Sequence, residues 1–252
     1  MDIGRSFTFP FQDKSWLPKL LIAALISIVP ILNFALVGWM VNIAKRVMDH
    51  ELEELPGWDD FGKKWMAGLY YTVASFIYSL PVLLVLCIVF GVFGGLMAAN
   101  QNSASDALNA AFASAGIFGF CLMCLVILYG LFLSILMPGL LVNYAKEDDF
   151  GSLFKLGVVY GKVRENASTF FTAWVVALVF GFVVGLLLGV VNTVLNIIPC
   201  IGTILGLVIT FLAAPYISAV YSHLFGQYGD KAYGIPAPAG SAGIPTNLPP
   251  TS

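Results

Sequence analysis

The chain has 252 residues, with 12 Lys and Arg against 14 Asp and Glu, and a formal charge of −2. That balance offers no basic field for nucleic acid. Charged residues make up 10% and hydrophobic ones 59%, with a mean hydropathy of +0.90, where soluble domains carry about 25% charge. An ordinary water-soluble domain is excluded. An all-α integral membrane protein is expected, because backbone in lipid must satisfy its own hydrogen bonds.

In chain order, Arg5, Lys14 and Lys19 flank a first apolar segment at 17–29, and a second follows at 31–47. No small-x-small cleavage site follows the first, so it is read as retained. Ile28-Val29-Pro30-Ile31-Leu32-Asn33 separates the two. Either 17–47 is one Pro-kinked span, or it folds back as a hairpin and leaves the N-terminus inside. All 12 basic residues fall at Arg5/Lys14/Lys19, Lys45/Arg46/Lys63/Lys64, Lys146/Lys155/Lys162/Arg164 and Lys231. The hairpin places every one of them on the cytoplasmic side, as the positive-inside rule prefers.

Four more apolar segments follow, at about 66–98, 114–144, 167–197 and 201–225. Most hold the roughly 20 apolar residues that a helix needs to cross a bilayer. The connections near 99–113 and 198–202 carry almost no charge. The expected fold is therefore a polytopic helical bundle of about six apolar segments. Beyond about Gly226 the Pro- and Gly-rich composition predicts a disordered cytoplasmic tail, 226–252.

Two stretches repeat in order. Val41-Asn42-Ile43-Ala44-Lys45 is echoed by Val142-Asn143-Tyr144-Ala145-Lys146, and Asp59-Asp60-Phe61-Gly62 by Asp148-Asp149-Phe150-Gly151. This predicts an internal duplication, with units about 17–98 and 114–225 related in parallel about the membrane normal. Phe61, Trp65 and Leu69 in the first copy, and Phe150, Phe154 and Val158 in the second, share one helical face. Two cytoplasmic amphipathic interfacial helices are expected there. The preferred reading of Asp59, Asp60, Asp148 and Asp149 is helix capping. The rival reading is a symmetric cation or headgroup site built from the same four carboxylates.

Within the apolar segments no Asp, Glu, Lys or Arg falls at mid-bilayer, which argues against an ion-coupled transporter. Ser27, Asn33, Ser134, Asn192, Thr193 and Asn196 are expected to bond to nearby backbone. Gly181, Gly185 and Gly189, with Gly202 and Gly206, form small-xxx-small stripes suited to helix packing within or between chains. Cys121 and Cys124 have redox or zinc spacing but no second pair and no nearby histidine. No HExxH, GxSxG or P-loop occurs. No cofactor, metal or catalytic set is expected.

Phe9-Pro10-Phe11, Trp16, residues 28–33 and above all Leu55-Pro56-Gly57-Trp58-Asp59-Asp60-Phe61-Gly62 carry a resemblance. The chain resembles the domain of unknown function 4013 family over about 1–225. That resemblance implies a multi-pass protein of a prokaryotic plasma membrane and implies no activity. The expected function is a non-enzymatic protein that organises membrane lipids or partners, either copies of itself or other membrane proteins. The alternative is a passive transporter or channel for a small or lipid-like solute.

Overall fold

The computed structural model describes residues 1–51, 54–100, 106–198 and 200–234, with the backbone alone at 92–94, 96–100, 106–115, 117 and 118. The connection 101–105, Pro199 and the tail 235–252 lie outside the described residues. The described residues form helices α1 (Ile3–Gln12), α2 (Trp16–Ile28), α3 (Asn33–Met48), α4 (Phe61–Asn100) and α5 (Asp106–Glu147). A 3-10 turn (Phe150–Phe154) then leads into α6 (Leu156–Glu165), α7 (Ala167–Leu195) and α8 (Ile201–Tyr233).

Four of these helices are long and apolar enough to cross a membrane, over Phe61–Gly91, Gly119–Glu147, Ala167–Leu195 and Ile201–Tyr233. The six expected apolar segments all fall on helices, α2, α3, α4, α5, α7 and α8, and four of the six are long enough to span. The other two are shorter: α2 has 13 residues and α3 has 16, about 20 and 24 Å at 1.5 Å per residue, short of a bilayer.

α2 and α3 fold back on each other. Lys19, early in α2, and Trp39, midway along α3, both hold residues 55–58. A continuous helix would separate residues 19 and 39 by about 30 Å. The chain reverses at Val29–Leu32, where Pro30 lacks the N–H to continue a helix. α4 then crosses α3 at backbone contact. A methyl on Gly38 would overlap the carbonyl of Lys64, and one on Gly68 the carbonyl of Phe34.

The buried core lies at one end, called the base here. One cluster joins Val41, Ala44 and Met48 of α3 to Leu140 and Leu141 of α5, Phe170 of α7, and Leu224 and Phe225 of α8. A second packs Phe9, Leu20, Ile26, Trp39, Ile43 and Leu55. Away from the base α4 pairs with α5 and α7 with α8. No described residue of α4 beyond Ala74, or of α7 beyond Ala173, is buried.

Two expectations are corrected. Phe61, Trp65 and Leu69 are not on a separate interfacial helix, because α4 runs unbroken from Phe61 into its span. The Trp65 indole N–H donates to the Ile31 carbonyl (2.8 Å) and ties that first turn to the hairpin tip. At Phe150, Phe154 and Val158 the expected helix is interrupted, because the chain breaks at Lys155, between the 3-10 turn and α6. The disordered tail does not begin at Gly226 either. α8 continues to Tyr233, with Tyr228 and Ala232 buried against α3 and α5.

Candidate functional site

The base owes its shape to short-range chemistry around Asp13. Its carboxylate, 1% exposed, accepts from the Ser15 N–H (2.7 Å) and hydroxyl (2.8 Å) through one oxygen. The other oxygen accepts from the Lys19 ammonium (2.7 Å) and the Leu55 N–H (3.1 Å). Lys19 also donates to the Leu55 carbonyl (2.7 Å). Burial works to raise the Asp13 carboxyl; the hydrogen bonds from Lys19 and Ser15 outweigh it and hold it below the usual carboxylate range. Leu55 is thus gripped at both its N–H and its carbonyl.

The neighbouring residues are held as firmly. The Trp39 indole N–H donates to the Pro56 carbonyl (2.9 Å), and the Trp58 N–H to the Lys19 carbonyl (3.1 Å). The two indoles stack 5.8 Å apart. The Leu55-Pro56-Gly57-Trp58 stretch therefore locks the α2–α3 hairpin to the start of α4. The sequence reading passed over Asp13. Its one signal was Ser15 two residues on, the spacing of an Asx turn.

The two Val-Asn-x-Ala-Lys segments meet at the ends of α3 and α5. The Lys45 ammonium lies 3.0 Å from the Asp148 carboxylate, and Lys146 lies 3.6 Å from Asp49. The lysine of each segment thus reaches the aspartate that follows the other. Both helices end on a residue of positive φ, His50 at 57° and Asp148 at 53°. The asparagines differ. Asn143 is fully buried, donating to the Ser152 carbonyl (2.8 Å) and accepting from the Tyr233 hydroxyl (2.9 Å). Asn42 is half-buried and faces a cavity.

That cavity, of about 400 Å³, brings together Asp60 and Asp148 of the four expected aspartates. Its walls also carry Asp49, Glu51, Lys45, Arg46, Lys63 and Lys64, so anionic and cationic groups share it. Asp59 and Asp149 are exposed and do not line it. Asp149 sits at the N-cap of the 3-10 turn without a side-chain cap bond, and the carbonyl of Asp60 accepts the Lys64 N–H (3.1 Å). Among the described residues no group of three His, Cys, Asp or Glu is placed to hold a metal.

A second cavity at the base, of about 520 Å³, is lined by Asp2, Arg5, His50, His223, Gln227 and Lys231, among others. Beneath it the His223 ring stacks on Phe9 at 4.4 Å, and its Nδ1 lies 2.9 Å from the Ser6 hydroxyl and 3.0 Å from the Gln227 amide nitrogen. This network pins α1 to α8. Gln227 lies one helical turn from His223, but Ser6 and Phe9 lie more than 200 positions away, where sequence pattern carries no signal.

Of the glycine stripes, Gly202 and Gly206 face α7, where a methyl would overlap the Leu195 carbonyl and the Asn192 side chain. A methyl at Gly181, Gly185 or Gly189 would meet nothing among the described residues. The polar residues within the spans bond locally. Ser134 and Thr193 donate to carbonyls three and four residues back, as do Asn192 and Asn196. Cys87, Cys121, Cys124 and Cys200 are exposed free thiols.

A family model described as "Protein of unknown function (DUF4013)" matches residues 21–193. No curated protein and no solved structure matches the chain.

Proposed function

Taking as premise that the chain belongs to the DUF4013 family, we propose that this membrane protein is a non-enzymatic organiser. It would gather lipids or partner proteins around its spans, with both termini and the base in the cytoplasm of a prokaryotic cell. One observation carries the reading. The most apolar windows of α4, α5 and α7 bury only 6%, 0% and 0% of their residues within the chain. Such spans leave their large side chains, Phe182 at 68% exposure among them, for lipid or for other helices. The open Gly181/Gly185/Gly189 stripe lies on the same helix and allows a neighbouring backbone to come close.

The positive-inside rule supports the orientation, because the ion pairs of the base gather the lysines at one end. The reciprocal Lys45–Asp148 and Lys146–Asp49 pairs support a parallel duplication, as a two-fold axis along the membrane normal would relate them.

Fluorescence energy transfer between labelled copies in proteoliposomes tests the reading. Gly185→Leu is expected to abolish transfer while leaving thermal unfolding of the base unchanged. Transfer at wild-type level would end the organising role assigned to this face. The transporter alternative draws on the shared cavity of Asp60 and Asp148. Solute flux into liposomes that changes with Asp60→Asn and Asp148→Asn, in variants that still fold, would put that reading first.

A further inference from the structure

The charges around the 400 Å³ cavity do not all cancel. Asp148 is taken by Lys45 (3.0 Å), Asp60 by Lys63 (3.9 Å) and Asp49 by Lys146 (3.6 Å). Arg46 makes one long bond, to the Glu51 carbonyl at 3.4 Å, and the Glu51 carboxylate has no cationic partner among the described residues. Lys64 remains. It is 8% exposed, lines the cavity, and its ammonium has no acceptor among the described residues.

The Lys64 stem is buried while its ammonium opens on the cavity, as a long cationic side chain keeps its charged end in reach of water. The Lys64 backbone is fixed against Gly38 at the α3–α4 crossing, which sets where the stem begins. Gly38, Val41 and Ala67 give the cavity an apolar floor, and it sits at the start of a candidate span. With four cations and four carboxylates in the wall, the cavity has no general positive field. Any pull on an anion comes from Lys64 and Arg46.

We propose that this cavity binds a phosphate group, supplied by a phospholipid headgroup, with Lys64 as its counter-charge and Arg46 as the second donor. The guanidinium offers paired N–H donors that match phosphate oxygens, and the ammonium adds a point charge. The apolar floor accommodates the glycerol end of the lipid. This site rests on the lipid-gathering side of the proposed function and gives it a headgroup chemistry.

The test is calorimetric titration of the full chain in a non-ionic detergent, in chloride buffer. The probes are short-chain phosphatidylglycerol and, separately, inorganic phosphate. Lys64→Met keeps the aliphatic stem and is expected to weaken lipid binding at least roughly tenfold, as loss of a charge-assisted contact does. Arg46→Met should act similarly, and Lys14→Met, remote from the cavity, should leave binding unchanged. Lipid binding without phosphate binding supports the headgroup. Equal, Lys64-dependent binding of both keeps the site and makes free phosphate its source. No binding of either probe, or binding indifferent to Lys64→Met, overturns the site. That failure, with Gly185-dependent energy transfer intact, leaves the organising function standing; Lys64-dependent binding without Gly185-dependent transfer does the reverse.

Discussion

The base and the spans draw on the same apolar side chains and use them in opposite ways. At the base, α1, α3, α5 and α8 surround Trp39, Leu141, Phe170 and Tyr228 until none is more than 1% exposed. Along the spans, residues of equal hydrophobicity, such as Phe90 and Val190, face outward. Water explains the first arrangement and lipid the second. Where the surroundings are aqueous, burying apolar area drives the helices together at about 25 cal/mol per Å². Where they are acyl chains that drive vanishes, and only close backbone approach or polar contacts hold helices together.

The sharpest way to break this comparison is to truncate one large side chain in each region. Trp39→Ala removes a fully buried indole, its bond to Pro56 and its stacking on Trp58. A loss of about 3–5 kcal/mol is expected, visible as a fall in Tm in detergent. Phe182→Ala, on the outward face of α7, should shift Tm by less than about 0.5 kcal/mol equivalent. Equal losses at both positions would mean that the spans are packed after all.

Next in size is Asp13. Asp13→Asn keeps the shape but removes the charge that Lys19 and Leu55 meet, with an expected cost of roughly 1.5–3 kcal/mol at neutral pH. The pH dependence has a definite sign. The carboxyl is held below its usual value in the folded chain, so the folded state binds fewer protons than the unfolded one. The stabilisation is therefore complete above an unfolded pKa of about 3.9, and is lost as pH falls through the lower folded value. Wild type should lose stability below about pH 4, and Asp13→Asn should show a flatter acid limb in the same unfolding titration. Parallel acid limbs would remove Asp13 from the clamp.

The repeated asparagines sharpen the comparison within the base. Asn143→Ala strands the Ser152 carbonyl and the Tyr233 hydroxyl in a buried site, and should cost about 1–3 kcal/mol. Asn42→Ala, at a half-buried cavity wall, should cost a few tenths of a kcal/mol. Unfolding of the two variants side by side separates a symmetric role from the asymmetric one seen here.

What could be read from the sequence follows from the range of each interaction. Span length is local, so the four long helices were legible, and so was the shortness of 17–29. The reversal at Pro30 followed from charge placement, because twelve basic residues constrain topology more than any propensity does. Gly38 and Gly68 were not legible. Neither belongs to a stripe, and only the α3–α4 crossing shows why each lacks a side chain. The aspartate pairs were visible as a repeat, yet only one member of each lines the cavity, since a turn in the chain aims neighbouring side chains apart. The Lys45–Asp148 pair spans 103 positions, a distance at which sequence pattern carries no signal.

The smallest expected effect probes the base where its packing is incomplete. The Ser152 hydroxyl is buried without a hydrogen-bond partner among the described residues, while its own carbonyl is taken by Asn143. An unpaired buried hydroxyl costs folding free energy, so its removal should not harm the fold. Ser152→Ala is expected to leave Tm unchanged or raise it by up to about 1 kcal/mol equivalent. A clear loss would mean that the hydroxyl is satisfied by a water bridging it to a buried neighbour. The base would then be wetter at the α5–3-10 junction than its packing implies, and the contrast with the spans would be one of degree.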